Sequence, residues 1–438
     1  MDEQRVQAYL SLIQELLNCP GGEEPEILNR HLELVDQGFV HVCEQVAAQF
    51  QEAGQENRAQ FLQDVAQQVG AFLGRSTTQG NATPKEYFEF LMQVLQATSD
   101  SNSNPAVVYH LFSHNLDKLD LNLVQILTAW ARNKFSNVDA KQAQNMATDI
   151  VNFANLIQEF PSGRRGENLE IAIAAYELVL AVYTREAFPE QWAATQHNLA
   201  TAYSNRIKGE RSDNLEQAIN AYELALAVYN REAFPQDWAM TQNNLASAYS
   251  NRIKGERADN LEQAIAAYKL ALEVRTREAF PEQWAMTQNN LGNAYSNRIE
   301  GEQADNLEQA IAAYQLALAV YTHEAFPQDW AMTQNNLGNA YNNRIEGERA
   351  DNQEQAIAAY KLALAVYTRE AFPADWAMTQ NNLGNAYNNR IKGERADNLE
   401  QAIAAYELAL AVYTREAFPE QWATTQNNLA SAYSSRIK

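Results

Sequence analysis

The chain has 438 residues, of which 55 are acidic and 33 are basic, so its formal net charge is −22 at pH 7. A charge of this sign repels phosphate backbones and anionic lipid headgroups, so we expect neither nucleic acid nor a membrane as partner. The two cysteines, Cys19 and Cys43, are too few for a disulfide framework. Because the sequence also lacks a signal-peptide pattern and a long apolar run, we expect a cytoplasmic protein.

Residues 1–138 show no internal repeat and read as a series of short helices. The opening EQRVQAYLSLIQELL places apolar residues at helical spacing, and breaks such as Pro20-Gly21-Gly22 separate it from the segments that follow. Further helical patterns occur around 39–53, 56–73, 84–97, 105–115 and 119–134. We expect this region to form an N-terminal helical bundle.

The same region holds the residues that merit testing as catalytic or metal-binding groups. His41 and Cys43 lie two residues apart, on different sides of a helix, so they form no dyad. His110 and His114 are four apart and could share a metal ion, but no acidic or cysteine companion completes the site. We therefore interpret them as a structural pair. The sequence predicts no catalytic residue, no metal site and no cofactor, and thus no enzyme.

From residue 139 onwards the tryptophans mark a period of 46 residues: Trp192, Trp238, Trp284, Trp330, Trp376 and Trp422. One period reads FPEQWAMTQNNLGNAYSNRIEGEQADNLEQAIAAYQLALAVYTHEA from Phe280 and contains two amphipathic stretches. Residues 139–160 align with the first stretch and predict a degenerate opening helix. Neither stretch can cover its apolar face alone, so successive helix pairs are expected to stack into a solenoid.

Start and stop signals predict where the two helices of a unit begin and end. Pro281 suits a first helical turn, and Gly301 ends that helix. Asp305 and Glu308 have the spacing of a capping box for the second helix, which runs to about Ala325. The long period implies helices of roughly 19 to 20 residues at 1.5 Å per residue.

Helical angles predict which side chains of a unit are buried. The core stripes are Trp284, Gln288, Leu291, Tyr295 and Ile299 on the first helix, and Leu307, Ile311, Tyr314, Leu318 and Tyr321 on the second. Arg298 lies at the edge of the core stripe, where a partly buried charge needs a partner. We expect it to pair with an acidic residue such as Glu308 or Glu262.

The pattern Leu291-Gly292-x-x-Tyr295, followed by Ala310-x-x-x-Tyr314-x-x-Ala317, resembles the tetratricopeptide repeat, whose usual unit has about 34 residues. The resemblance implies an all-α fold: the N-terminal bundle of residues 1–138, followed by a right-handed α-solenoid of helix pairs over residues 139–438. It also implies that the first helix of each pair lines the concave side.

Asparagines recur on the first helices, on a face turned away from the predicted core stripe. The resemblance places this face in the groove, where amides suit the backbone of an extended peptide because they donate and accept without net charge. We predict a peptide or protein partner. The candidate peptide-binding residues are Asn244, Asn251, Asn290, Asn293, Asn297, Asn336, Asn339, Asn343, Asn382, Asn385 and Asn389.

Two alternatives stay open from the residues alone. Nearly every position of the unit recurs, so copying of the unit explains the asparagines without any binding function. The chain could also be a structural scaffold whose repeats hold protomers together as a homo-oligomer. If a ligand binds, the net charge favours a basic or neutral one.

The opening EQRVQAYLSLIQELLNCPGGEEPEIL resembles cyanobacterial proteins in which long repeats precede a caspase-like CHAT peptidase domain. That family's peptidase uses a His and Cys dyad in a separate domain, which nothing in this sequence matches. The resemblance implies that the chain is a sensing or regulatory arm of such a peptidase. Because SAYSSRIK stops where the unit would continue with GERADNLEQAI, we expect the chain to be part of a longer protein.

Overall fold

The computed structural model describes residues 3–18, 27, 31, 34, 37–52, 55, 58–63, 65, 66, 69 and 82–436. Their regular structure is helical, and no strand occurs among them, so the predicted all-α class is confirmed. No helix within these residues is long and apolar enough to cross a bilayer. The chain divides into two compact units, residues 1–90 and residues 91–438.

The first unit, residues 1–90, contains α1 (Glu3–Asn18) and α2 (Gln37–Glu52), which contact each other. Apolar residues recur at helical spacing in both, so each helix presents one apolar face to a shared core. Tyr9 and Phe39 are buried in that core. A helical bundle over residues 1–138 stays a prediction.

The second unit begins within α3 (Pro84–Asp100), which is followed by α4 (Pro105–His114) and α5 (Leu121–Asn137). The carboxylate of Asp120 accepts hydrogen bonds from the first backbone N–H groups of α5, which explains where this helix begins. Helix α5 packs against the helix Arg165–Val179 of the repeats. The sequence boundary at residue 138 therefore marks where the repeat register starts, and as a domain boundary it stays a prediction.

Helix pairs fill the rest of the second unit, and each helix packs against the next one along the chain, as a solenoid requires. The first helices of the pairs are α6 (Ala140–Glu159), α8 (Pro189–Ser204), α10 (Pro235–Ser250), α12 (Pro281–Ser296), α14 (Pro327–Asn343), α16 (Pro373–Asn389) and α18 (Pro419–Arg436). The second helices are α7 (Arg165–Val179), α9 (Arg211–Leu226), α11 (Arg257–Leu272), α13 (Gln303–Leu318), α15 (Arg349–Ala363) and α17 (Arg395–Leu410).

Two kinds of apolar side-chain cluster hold neighbouring helix pairs together. In one, Leu291 and Tyr295 of α12 pack with Tyr314 of α13 and with Leu337 of the following unit, so the core runs on between units. In the other, the tryptophans sit between units, because Trp330 packs into two successive clusters. The period of the tryptophans is therefore the period of the contacts between units.

The helices of the repeats are shorter than the predicted 19 to 20 residues, since those from α8 onwards have 15 to 18. Helix α12 ends before Gly301, which has a φ of +79° and lies in the connecting loop. The predicted capping box is wrong because α13 begins at Gln303, which places Asp305 inside the first turn. Ile299 is also outside the core, at 58% exposure, because it follows the end of the helix.

The prediction for Arg298 is confirmed. Its guanidinium donates to both carboxylate oxygens of Glu262, at 2.6 and 2.9 Å, and thereby links α12 to α11 of the preceding unit. The same pairing recurs at Arg206–Glu170, Arg252–Glu216, Arg344–Glu308, Arg390–Glu354 and Arg436–Glu400. Each pair is partly exposed and contributes only about 0–1 kcal/mol, so the ladder sets the register of the units more than their stability.

Candidate functional site

The first helices lie closer to one another than the second helices do. Successive first helices such as α10, α12 and α14 contact each other directly, whereas no two successive second helices among the described residues make a contact as extensive. The first helices are therefore the more closely packed set. This arrangement places the asparagine-bearing face between neighbouring first helices.

The start of the repeated TQNN segment is buried between these helices. Thr287 and Asn289 are almost fully buried, and Thr287 Oγ1 lies 3.1 Å from Asn243 Oδ1 of the preceding unit. Thr379 Oγ1 lies 3.3 Å from Asn335 Oδ1 in the same way. We call Asn243, Asn289 and Asn335 the Asn289 row. These three asparagines are not among the predicted site residues, although the threonine that recurs two residues before them in every unit was a signal of shared packing.

The second asparagine of the segment forms the Asn290 row, which consists of Asn244, Asn290, Asn336 and Asn382. Its members are half-buried. The Nδ2 groups of Asn336 and Asn382 donate to Asn289 and Asn335 at 3.3 and 3.4 Å, which leaves their Oδ1 atoms without a partner in the described chain. Asn290 itself makes no hydrogen bond to a described residue through its side chain. Asn244 Oδ1 accepts from Asn243 Nδ2 at 3.1 Å. The unused acceptors of this row are therefore those of Asn290, Asn336 and Asn382, and Asn290 keeps an unused donor as well.

The Asn293 row, which consists of Asn293, Asn339 and Asn385, is partly committed to packing within its own unit. Asn293 Oδ1 accepts a hydrogen bond of 2.7 Å from the hydroxyl of Tyr314. Burial raises the pKa of the Tyr314 hydroxyl, so it stays protonated and donates. No described residue accepts from Asn293 Nδ2, so one amide donor per unit is left for another group.

The Asn297 row lies at the ends of the first helices and is exposed; its members are Asn251, Asn297, Asn343 and Asn389. Asn251 Nδ2 and Asn297 Nδ2 donate to backbone carbonyls one turn earlier, at 2.8 and 2.9 Å. These bonds satisfy carbonyl groups that would otherwise be free at a helix end. Asn251 and Asn297 of this row therefore stabilise the C-terminal ends of their own helices.

Three equivalent cavities gather many of the predicted residues. They open between neighbouring first helices, and we name them by the tyrosine that lines each one: the Tyr222, Tyr268 and Tyr314 cavities, of about 270, 210 and 390 Å³. Asn290 and Asn293 line the Tyr268 cavity, together with amides of the Asn297 row. No acidic residue lines any of the three cavities. The structure thus brings amides from adjacent units into shared polar hollows.

The histidine and cysteine candidates are placed elsewhere. His114 Nδ1 donates to the His110 carbonyl at 2.8 Å, and the two rings lie 4.2 Å apart, which fits a structural pair. Cys43 is buried and His41 is exposed on another side of α2, while Cys19 lies outside the described residues. Within the described part of the chain, no group of three or more His, Cys, Asp and Glu side chains could hold a metal ion.

Comparison with protein families gives one match, to a family described as "Tetratricopeptide repeat". It covers residues 238–278, 284–319 and 376–412, and each segment begins at a tryptophan of the ladder and spans a first and a second helix. These segments are tetratricopeptide repeats. Repeats of this class generally mediate protein–protein interaction or act as scaffolds. No curated protein sequence matches the chain.

Several solved structures are similar to the chain. An assembly chaperone of RpL4 is 14% identical with a TM-score of 0.42, and the match covers 69% of this chain and 100% of that one. A signal transduction ATPase with a tetratricopeptide repeat sensor from Pyrococcus horikoshii is 12% identical with a TM-score of 0.41, covering 100% and 63%. BtubC from P. vanneervenii is 19% identical with a TM-score of 0.34, covering 65% and 91%. At these values the likenesses carry no argument about function.

Proposed function

We propose that the tetratricopeptide repeats bind an extended peptide, or an extended segment of a partner protein, along the inner side of the first helices. The observation that supports this is that Asn290, Asn336 and Asn382 of the Asn290 row keep amide acceptors that packing does not use. The unpaired Nδ2 groups of the Asn293 row lie one helical turn away. Together they offer donors and acceptors to the N–H and C=O groups of an extended backbone.

Several units must act together for useful affinity. Each hydrogen bond to a peptide contributes only about 0.5–1.5 kcal/mol net, whereas micromolar binding requires about 8 kcal/mol. A continuous run of units that carry the complete set of asparagines meets this need. Those units are centred on α12, α14 and α16.

The test compares the protein with a variant in which Asn290, Asn336 and Asn382 are all changed to Ala. Both are used to select binders from a displayed library of random peptides, and the affinities of the selected peptides are then measured. We expect peptides that bind the unchanged protein and lose at least tenfold in affinity for the variant, because about three hydrogen-bonding groups are removed.

The matched control changes Gln263, Gln309 and Gln355 to Ala. These exposed amides occupy one equivalent position on the second helices of three units. Circular dichroism should show equal folding of all three proteins. If the asparagine variant keeps the same peptides with the same affinities, groove binding is refuted and copying of the unit accounts for the asparagines.

A narrower proposal rests on the resemblance of the opening segment to CHAT-associated proteins. The repeats would then sense a partner on behalf of a caspase-like peptidase. The test measures hydrolysis by a purified CHAT peptidase in three mixtures: alone, with the chain, and with the chain and a selected peptide. A rate that is the same in all three mixtures would contradict this role, even if the peptide binds.

Self-assembly is the second candidate, and one observation favours it. The outer face of the second helices carries a row of partly exposed leucines, namely Leu270, Leu316, Leu362 and Leu408. Light scattering over a range of protein concentrations, on the protein and on a variant with Leu316 and Leu362 changed to Gln, tests this role. An oligomer that the variant no longer forms would support a scaffold, and a monomer at all concentrations would oppose it.

A further inference from the structure

Exposed methionines flank the Asn290 row on one side. Met286, Met332 and Met378 are each 37–38% exposed and stand four residues before a member of that row. Four residues of α-helix rise about 6 Å, so this Met286 row runs parallel to the Asn290 row on the side of the helix N-termini. Methionine is flexible and polarisable, which suits it to contact apolar side chains of varied shape.

The three cavities extend from the Asn290 row towards the helix C-termini, because each is lined by one member of that row together with residues of the Asn293 or Asn297 row. Arg211 lines the Tyr222 cavity and Arg257 lines the Tyr268 cavity, whereas the equivalent residue of the Tyr314 cavity is Gln303. Neither arginine forms an ion pair with a carboxylate of the described residues. Although the net charge is −22, these two cavities carry unneutralised positive charge.

The two arginine-lined cavities also hold unmet hydrogen-bonding capacity. The guanidinium groups of Arg211 and Arg257 donate to the carbonyls of Ser204 and Ser250. The Oγ atoms of the same two serines are buried beside the hydroxyls of Tyr222 and Tyr268, to which they hydrogen-bond. Each guanidinium keeps further N–H donors beyond the one that meets the serine carbonyl. A carboxylate that enters the cavity can accept from the guanidinium and the lining amides together.

An extended peptide lying along the Asn290 row would place alternate side chains on opposite sides of its backbone. One set would then face the Met286 row and the other set would face the cavities. Resting on the proposed function, we infer that the ligand is an extended segment with alternating apolar and acidic side chains. Arg211 and Arg257 select carboxylates at two cavities, and Gln303 accepts a neutral side chain at the third. The positive charge of these two cavities thus favours an acidic ligand, whereas the negative net charge of the chain favours a basic or neutral one.

The test measures the affinities of three labelled peptides in which Leu alternates with Glu, Gln or Lys, and of a fourth with the Leu and Glu residues grouped into two blocks. We expect the alternating Leu/Glu peptide to bind most tightly and its affinity to fall as salt is added. Exchanging Arg257→Gln should weaken that peptide about tenfold and leave the Leu/Gln peptide unchanged, since one charge-assisted contact is lost.

The Tyr314 cavity has a glutamine where the other two cavities have an arginine, so a reciprocal variant can be made there. Gln303→Arg should strengthen binding of the Leu/Glu peptide about tenfold. Both residues occur at this position in the protein, so both variants should fold, which thermal unfolding checks. Equal affinities for the Leu/Glu and Leu/Lys peptides, equal binding of the grouped peptide, or no binding of the Leu/Glu peptide would each overturn the inference.

The outcomes separate this inference from the proposed function. Loss of binding when Asn290, Asn336 and Asn382 become Ala, combined with no response to Arg257→Gln or Gln303→Arg, would keep the groove and refute its acidic preference. If library-selected peptides are insensitive to the asparagine changes, the groove itself fails. Selected peptides rich in Lys or Arg would contradict the acidic preference while leaving the groove intact.

Discussion

The hydroxyl of Tyr314 donates a 2.7 Å hydrogen bond to Asn293 Oδ1. The hydroxyl reaches Asn293 because the tyrosine ring lies directly over Gly292. A Cβ atom at Gly292 would lie 2.6 Å from Tyr314 Cε1. The same arrangement joins Tyr360 to Asn339 over Gly338, and Tyr406 to Asn385 over Gly384. In an earlier unit, Ala and Ser occupy both positions together, as Ala246 and Ser247. In the opening unit, Tyr176 makes the same bond to Asn155 at 2.7 Å with Ala154 in the glycine position. Gly292 therefore lets the Tyr314 ring pack close to the α12 backbone, in a position from which the Cβ of an alanine would have to displace it.

We expect Gly292→Ala to destabilise the protein by about 1–3 kcal/mol, because the added methyl group displaces the Tyr314 ring from a packed core. This cost exceeds the gain of about 1 kcal/mol that alanine brings to a helix. Adding Asn293→Ser, which reproduces the pair found at Ala246, should recover part of the loss through a coupling of about 0.5–3 kcal/mol. Urea unfolding of both single variants and the double variant measures it.

The reciprocal change Ala246→Gly controls for helix propensity, since it removes a methyl group where the neighbouring ring already accommodates one. Strict additivity of Gly292→Ala and Asn293→Ser would show that the two positions are independent. In that case packing would not explain why some units have Gly-Asn and another has Ala-Ser at these two positions.

Arg275 is the one arginine at a position that holds a tyrosine in the other units, namely Tyr183, Tyr229, Tyr321, Tyr367 and Tyr413. It is only 7% exposed, and burial lowers the pKa of its guanidinium to about 10. Its guanidinium donates to Thr287 Oγ1 at 3.1 Å, and no carboxylate of the described residues pairs with it. A buried charge without an acidic partner is costly.

We therefore expect Arg275→Tyr to stabilise the protein by about 1–4 kcal/mol, as replacing buried charges by packed apolar groups has done elsewhere. The new ring would pack on Phe280 as Tyr321 packs on Phe326. Chemical denaturation measures the change, with Tyr321→Arg as the reciprocal variant that should lose stability. A less stable Arg275→Tyr protein would indicate that the network around Thr287 needs the guanidinium.

His197 replaces an asparagine of the Asn289 row, and its Nδ1 lies 2.8 Å from Thr241 Oγ1. Burial, with a smaller contribution from the nearby charge of Arg275, lowers the pKa of His197 from 6.5 to about 4. Between these pH values the unfolded histidine binds a proton that the folded one does not. The free energy of unfolding therefore falls as pH drops through this window, by up to about 3 kcal/mol.

We expect His197→Asn to remove this part of the pH dependence, because asparagine is neutral and is the residue of the other units. Denaturant unfolding at intervals from pH 7 to pH 4 should show the two proteins diverging as the pH falls, with the variant losing less. Carboxylates titrate in the same range in both proteins and cancel in the difference. Parallel curves would mean that His197 is accessible to protons in the folded state.

Several features of the fold follow from the sequence alone. The tryptophan period predicts the helix pairs. The position of Arg298 at the edge of the core predicts an ion pair with Glu308 or Glu262, because a partly buried charge needs a partner, and the structure shows Glu262. The predicted helix lengths are wrong because part of the 46-residue period forms connections, such as residues 297–302 and 319–326. The predicted burial of Ile299 is wrong for a related reason. A helical wheel assumes that the helix continues, whereas α12 ends at Ser296 and the chain turns before Gly301.

The repeated TQNNLGNAY determines by itself that amides recur on one helix of every unit, and its period determines that the units stack. Only the tertiary structure decides which amides packing consumes and which it leaves free. Asn243 meets a threonine 44 residues away and Asn293 a tyrosine 21 residues away. Such partners depend on how the helices are stacked, and helical angles within one helix cannot supply that information.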